Sequence, residues 1–290
     1  MTITLKERIV APIIPEIADK EYLGRMPIVG RTPDGRHDVV AYFPTGRSAG
    51  SRARYLAEMP DGTIKIDPSA DAKPGQGNPA LIYYNALRFL DDGSIVVTNG
   101  VQTDLVVETY EALKRKRLSP LDLLQESFRN PRMMDNWVEK DGVKTHQRID
   151  ITEFEPDHPN YTPRVSAVLG QDRAAMSIAM YNNGVVERHY FDIPLVVNGI
   201  ARGLPTYTGK NVPEGETIPQ FRGSPMSFAI PMGNAEHFAN AIWNSLGPKE
   251  GEEVVKPSDD FRVGVVVIFR DRATHTIGSF VINKNQPKPK

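Results

Sequence analysis

Short glycine-containing turns between apolar runs are what most limit the folds open to this chain. Thr32-Pro33-Asp34-Gly35, Asp91-Asp92-Gly93 and Asn182-Asn183-Gly184 each separate two stretches of strand-forming residues. Glycine, asparagine and aspartate tolerate the backbone angles that tight hairpin connections need. The predicted pairs are residues 25–31 with 38–43, 80–90 with 94–98, and 174–181 with 185–192. Residues 164–170, 226–230, 262–270 and 276–282 read as further strands. The run 80–90 is apolar on both faces, as a strand covered on both sides should be.

Only a few helices interrupt this pattern. Residues 103–116 place Val106, Tyr110 and Leu113 on one face and end in Lys114-Arg115-Lys116-Arg117, where positive charge suits the helix dipole. Ser119-Pro120-Leu121-Asp122 offers an N-cap, a first-turn proline and an acid, opening a helix to about residue 128. Residues 235–246 form an amphipathic helix ended by Gly247-Pro248. A doubly wound parallel sheet requires regular βαβ alternation, which this order lacks. The predicted class is therefore α+β, with stacked antiparallel sheets flanked by helices.

The chain has 290 residues and no compelling internal linker, so one domain is expected over residues 21–285. Residues 1–20, interrupted by Pro12 and Pro15, read as an N-terminal extension, and 286–290 as a disordered tail. Thr206–Arg222 reads as a loop, and 129–150 and 248–258 as additional loop material. A net charge of −1 offers no basic field for nucleic acid. The absence of cysteine excludes disulfides, thiolate catalysis and cysteine-held metals. No apolar run approaches membrane-spanning length, so a soluble, cytoplasmic protein with no membrane partner is expected. Symmetric assembly is common among soluble enzymes, and a homo-oligomer is the expectation here.

Several familiar motifs fail their context. Gly75-Gln76-Gly77 precedes a strand instead of following one, so it is not a dinucleotide-binding turn. The six histidines show no metal-ligand spacing, and neither a GxSxG elbow nor a Walker A loop occurs. No metal or cofactor is expected. Thr2 would become an N-terminal nucleophile if Met1 were removed, although it lies well before the first predicted strand.

Three polar segments at strand ends carry the chemistry. The first, Tyr42-Phe43-Pro44-Thr45-Gly46-Arg47-Ser48-Ala49-Gly50-Ser51-Arg52-Ala53-Arg54, runs from a strand into a turn that joins small residues to several guanidinium groups. Small residues let backbone N–H groups approach an anion, and arginine forks match phosphate oxygens. The second, Asn78-Pro79…Tyr84-Asn85, puts an amide and a phenol into an apolar strand, where each needs a partner. The third, Thr98-Asn99-Gly100-Val101-Gln102-Thr103-Asp104, runs from a strand end into a helix N-terminus.

Together with Tyr22-Leu23-Gly24-Arg25, Val29-Gly30 and Thr162-Pro163-Arg164, these segments resemble the archaeal-type IMP cyclohydrolase family. The resemblance covers most of residues 22–193. It implies a four-layer αββα sandwich of antiparallel sheets, like the N-terminal-nucleophile hydrolases but without their nucleophile. It also implies closure of the 5-formamidoimidazole-4-carboxamide ribotide ring to IMP with loss of water, in purine biosynthesis. By the same resemblance Tyr84, Arg47 and Asp104 are the catalytic candidates. Arg25, Ser48, Arg52, Asn85, Asn99, Thr103 and Arg164 are the candidates for binding a small ribonucleotide. A carboxylate from Glu153, Glu155 or Asp157 is also expected to enter, and Arg54 is the least supported member of its segment. Gln102 stands where the family pattern would have histidine.

Two other functions fit the residues: an amidohydrolase using Thr2, and a non-catalytic purine-nucleotide-binding protein.

Overall fold

The computed structural model describes residues 12–72, 83–140, 143–213, 215–248 and 260–287. A one-turn helix α1 (Pro15–Ala18) precedes the first hairpin, β1 (Arg25–Arg31) and β2 (His37–Pro44). A second short helix α2 (Ala49–Arg52) leads into β3 (Arg54–Glu58) and β4 (Ile64–Pro68). The hairpin β5 (Tyr84–Phe89) and β6 (Ile95–Thr98) is followed by helices α3 (Gln102–Leu113) and α4 (Pro120–Ser127). Next come β7 (Met133–Lys140) and β8 (Val143–Asp150), then β9 (Arg164–Leu169), β10 (Arg173–Asn182) and β11 (Val185–Pro194). The chain continues through β12 (Ile200–Gly203), β13 (Met226–Ala229), helix α5 (Ala235–Ser245), β14 (Gly264–Asp271) and β15 (Ile277–Asn283).

Among the described residues these strands form a six-stranded sheet, β13-β12-β1-β2-β14-β15, and a seven-stranded sheet, β11-β10-β9-β6-β5-β4-β3. All of their pairings are antiparallel. The protein is thus α+β, with few helices against largely antiparallel sheets.

Side-chain alternation explains the stacking. Val29, Val40, Val266 and Ile268 of the smaller sheet share one core with Ile64, Ile66, Val97, Ala167 and Ile178 of the larger. The intervening residues Met26, Ile28, Val39, Ala41, Val265 and Val267 face the other way, against Phe238, Ala239 and Ile242 of α5. On the outer side of the larger sheet, Val96 and Val168 meet Val106, Leu123 and Leu124 of α3 and α4. Each such buried aliphatic side chain contributes about 1.5–3 kcal/mol.

Several sequence expectations change. Strands β3 and β4 are not among the predicted strands, although Pro60-Asp61-Gly62 is a turn signal between them and Ile64-Lys65-Ile66-Asp67 alternates. Residues 129–150, expected as loop, contain the hairpin β7–β8, a separate two-stranded sheet. The described part of the expected extension is docked: Ile14 and Ile17 are buried, and the Ile14 N–H donates to Ser245 Oγ at 2.7 Å. The start of the expected tail is also held, because Ala70 N–H donates to the Gln286 carbonyl at 3.1 Å. Thr2, Gly75-Gln76-Gly77 and Asn78-Pro79 lie outside the described residues.

Each end of the inter-sheet layer is polar. At one end Asp38 accepts from Arg31 Nε at 2.9 Å and from Arg270 Nη2 at 2.8 Å. Arg270 also donates to the carbonyls of Gly93 and Gly170, tying the smaller sheet to turns of the larger. The other end gathers Arg25, Tyr42, Arg54 and Tyr84.

Candidate functional site

In an antiparallel sheet the start of one strand lies beside the end of its neighbour. The starts of β1, β3, β5 and β9 and the ends of β2 and β6 therefore gather at one rim. Arg25 opens β1, Tyr42 lies near the end of β2, Arg54 opens β3 and Tyr84 opens β5. The two-residue period sends all four toward the space between the sheets.

Glu155, in the segment between β8 and β9, is buried and holds Arg25 with both oxygens, at 2.6 and 2.9 Å. Arg25 Nη1 also donates to the Asn99 carbonyl at 2.7 Å. Burial opposes the Arg25 charge, but Glu155 and the nearby phenols hold its pKa well above the ordinary value. Tyr42 and Tyr84 bring their hydroxyls to 2.8 Å across the inter-sheet gap. Arg54 is fully buried; its Nε donates to the Ser51 carbonyl at 2.7 Å, and no carboxylate pairs with it among the described residues. Burial lowers its pKa, opposed by Tyr84, with Arg25 adding to the lowering and Tyr42 and Tyr22 opposing it.

Arg164 sits behind this group. It belongs to the helix-facing row of β9, whose alternate residues Val165 and Ala167 enter the inter-sheet core. Its Nη1 donates to Gln102 Oε1 at 3.1 Å and stands 3.8 Å from Glu155. Its Nε and Nη2 are buried without a hydrogen-bond partner. Gly100 makes this packing feasible, because a Cβ there would collide with Arg164 Nη1 and Gln102 Oε1. Gln102, where a histidine was expected, thus orients an arginine.

A second hydrogen-bonded chain flanks the cluster. Asp157 accepts from the Thr162 N–H at 2.7 Å and from Thr162 Oγ1 at 2.5 Å. Thr162 has then spent its one proton, so Tyr207, 2.6 Å away, donates to it. Burial, followed by the Glu155 charge, pushes Asp157 from its ordinary 3.8 up to about 6, against the opposing hydrogen bonds of Thr162. Of the three acidic candidates, Glu155 and Asp157 come here. Glu153 instead neighbours Asp150 and Arg188.

The other predicted residues separate. Asn85 and Asp104 do not join the cluster: Asn85 Nδ2 donates to both Asp104 oxygens, at 3.0 and 3.1 Å, and Arg88 donates to the same carboxylate. Adjacent strand residues point to opposite faces, so Tyr84 inward means Asn85 outward, toward α3. Asn99 is consumed structurally, donating to the Pro163 carbonyl and accepting from Val165 N–H and Gln102. Thr103 bonds Thr98 and the Gly100 carbonyl. Ser48 caps α2 by accepting from Ser51 N–H at 3.1 Å. Arg47 donates to the Val212 carbonyl at 3.1 Å, and Arg52 donates to the Arg47 carbonyl.

Tyr207 and the central placement of Arg54 were not legible in sequence, and Tyr42 opened the first polar segment without an assigned role. The period of β2 marks Tyr42 as sharing a face with Val40, but its partner lies on the other sheet. Among the described residues no three His, Asp or Glu side chains gather as a metal would need, and no helix is long and apolar enough to cross a membrane.

A sequence profile of the IMP cyclohydrolase-like protein family matches residues 22–132. A protein of Methanocaldococcus jannaschii named IMP cyclohydrolase is 33% identical over 141 residues, an alignment covering 46% of this chain and 67% of that relative.

Proposed function

Since the chain belongs to the IMP cyclohydrolase-like family, we propose that it closes the 5-formamidoimidazole-4-carboxamide ribotide ring to IMP, releasing water. The observation that carries this reading is the convergence of Arg25, Arg54, Tyr42, Tyr84 and Glu155 at one rim of the sheets. Arg25 is matched by Glu155, whereas Arg54 has no carboxylate partner among the described residues. An excess of buried positive charge stabilises an anionic ligand strongly, because little water screens it. On this reading the sandwich is the four-layer αββα arrangement of the N-terminal-nucleophile hydrolases.

Both reacting groups lie on one substrate ring, so orientation supplies much of the rate. The carboxamide nitrogen attacks the formyl carbon while Tyr84 gives its proton to the forming oxyanion; the nitrogen then returns a proton to the tyrosine. In dehydration Tyr84 protonates the leaving hydroxyl, the C–O bond breaks, and the formamido N–H proton restores the phenol. Arg54 and Arg25 stabilise negative charge on oxygen. Arg47 and Arg52, nearer the rim, take the phosphate. Glu155 and Arg164 act through Arg25 as positioning residues.

Purified protein incubated with the formamido ribotide should produce IMP, followed by ultraviolet absorbance. Conversion no faster than the spontaneous reaction would sink this reading.

A further inference from the structure

We infer that Tyr42 is a positioning residue for Tyr84, donating its hydroxyl proton to the Tyr84 oxygen across the inter-sheet gap and steadying that oxygen when its own proton leaves. The inference rests on the acid/base reading of Tyr84.

The 2.8 Å separation admits one hydrogen bond between the phenols, and either could donate. Burial decides between the two directions. Tyr42 is wholly enclosed, while Tyr84 keeps 4% of its surface. Were Tyr84 the donor, the proton of Tyr42 would point into the interior with no acceptor among the described residues, a costly arrangement. With Tyr42 donating, the proton of the wholly enclosed phenol is satisfied and the Tyr84 proton is left for a ligand.

Electrostatics favour the same assignment. The charged groups facing the pair are Arg25 on β1 and Arg54 on β3, with Glu155 behind Arg25 and Arg164 of β9 also in reach of Tyr84. Burial, and then Tyr84 itself, push the Tyr42 hydroxyl well above the usual tyrosine range, so it remains protonated and able to donate. A Tyr84 phenolate would lie within the field of these three guanidinium groups and accept a hydrogen bond from Tyr42. The register also suits this role: Tyr42 pairs with Pro27 on β1 and Val266 on β14, so strands on both sides fix its backbone.

The test is fluorotyrosine placed at position 84 and titrated by fluorine NMR, in the parent and in Tyr42→Phe, alongside steady-state kinetics. Loss of a hydrogen bond to a developing charge should raise the Tyr84 midpoint and lower kcat by about ten- to a hundredfold. KM should stay within about twofold, because the ground-state contacts are kept. The more acidic trifluorotyrosine at position 42, a stronger donor with an intact ring, should move the midpoint the other way. It serves as the test if Tyr42→Phe fails to fold. An unchanged midpoint in whichever variant folds would overturn the inference. If the midpoint moves but no variant or parent forms IMP, the phenol pair stands and the cyclohydrolase reading fails.

Discussion

Glu155 engages Arg25 through both carboxylate oxygens, at 2.6 and 2.9 Å, while Arg164 stands 3.8 Å from the same group. One buried carboxylate therefore faces two guanidinium groups, the partly buried Arg25 and the buried Arg164. Removing one partner of such a cluster leaves uncompensated charge, which costs about 3–5 kcal/mol. Glu155→Gln should accordingly lower unfolding stability in urea by several kcal/mol at neutral pH. It should also lower kcat/KM, since Arg25 loses its anchor. A change below about 1 kcal/mol would mean the ion pair is not maintained in solution.

Asp38 offers a contrast at the opposite end of the layer. It is buried between Arg31 and Arg270, and Arg270 reaches turns of the second sheet. Asp38→Asn should destabilise by about 3–5 kcal/mol. Tyr42 lies two residues beyond Val40 in the same row of β2, so the folded variant should keep parental KM and kcat. Chemical denaturation with kinetics on the folded fraction checks both halves.

Asp104 is held by Asn85 and Arg88 on the helix side of the larger sheet. We expect Asp104→Asn to leave kcat within about threefold of parent and to change stability by no more than about 1 kcal/mol, the range of exposed ion pairs. A hundredfold fall in kcat with intact structure would return Asp104 to the reacting groups.

Asp157 predicts a pH dependence of stability. Its carboxyl titrates near 6 in the folded chain, above its ordinary 3.8. A raised acid pKa means the folded state holds the proton more tightly than the unfolded one. That contribution is fully present below about 4 and is lost as pH rises through about 6, amounting to roughly 3 kcal/mol. Asp157→Asn keeps an acceptor for Thr162 without the charge. Relative to this variant, the parent should lose stability between pH 4 and pH 7 in urea melts; parallel pH profiles would refute it.

Hairpin boundaries were legible because they depend on neighbours in sequence. Residues 25–31 coincide with β1, and the turns at Gly35, Gly93 and Gly184 all carry positive φ. The hairpin β7–β8 was missed because β8 is largely exposed and neither strand carries a clean alternation in sequence. Docking of Ile14 and Ile17 was missed because its cause, the α5 surface, lies more than two hundred residues away.

The sequence alone determined the antiparallel class and the positions of the hairpin turns, and its resemblance to the family pointed to Arg25, Tyr84 and Arg164 as site candidates. It also narrowed the acidic partner to three neighbours. Only the tertiary structure decided among them, because Glu153, Glu155 and Asp157 share one segment and differ in what other strands bring to them. The same holds for Asn85 and Tyr84: the pleat sends them to opposite faces, but stacking decides which face meets Arg25, Arg54 and Tyr42. Strand periodicity is a property of the local backbone, whereas the charge and burial around a side chain are set by elements distant in sequence.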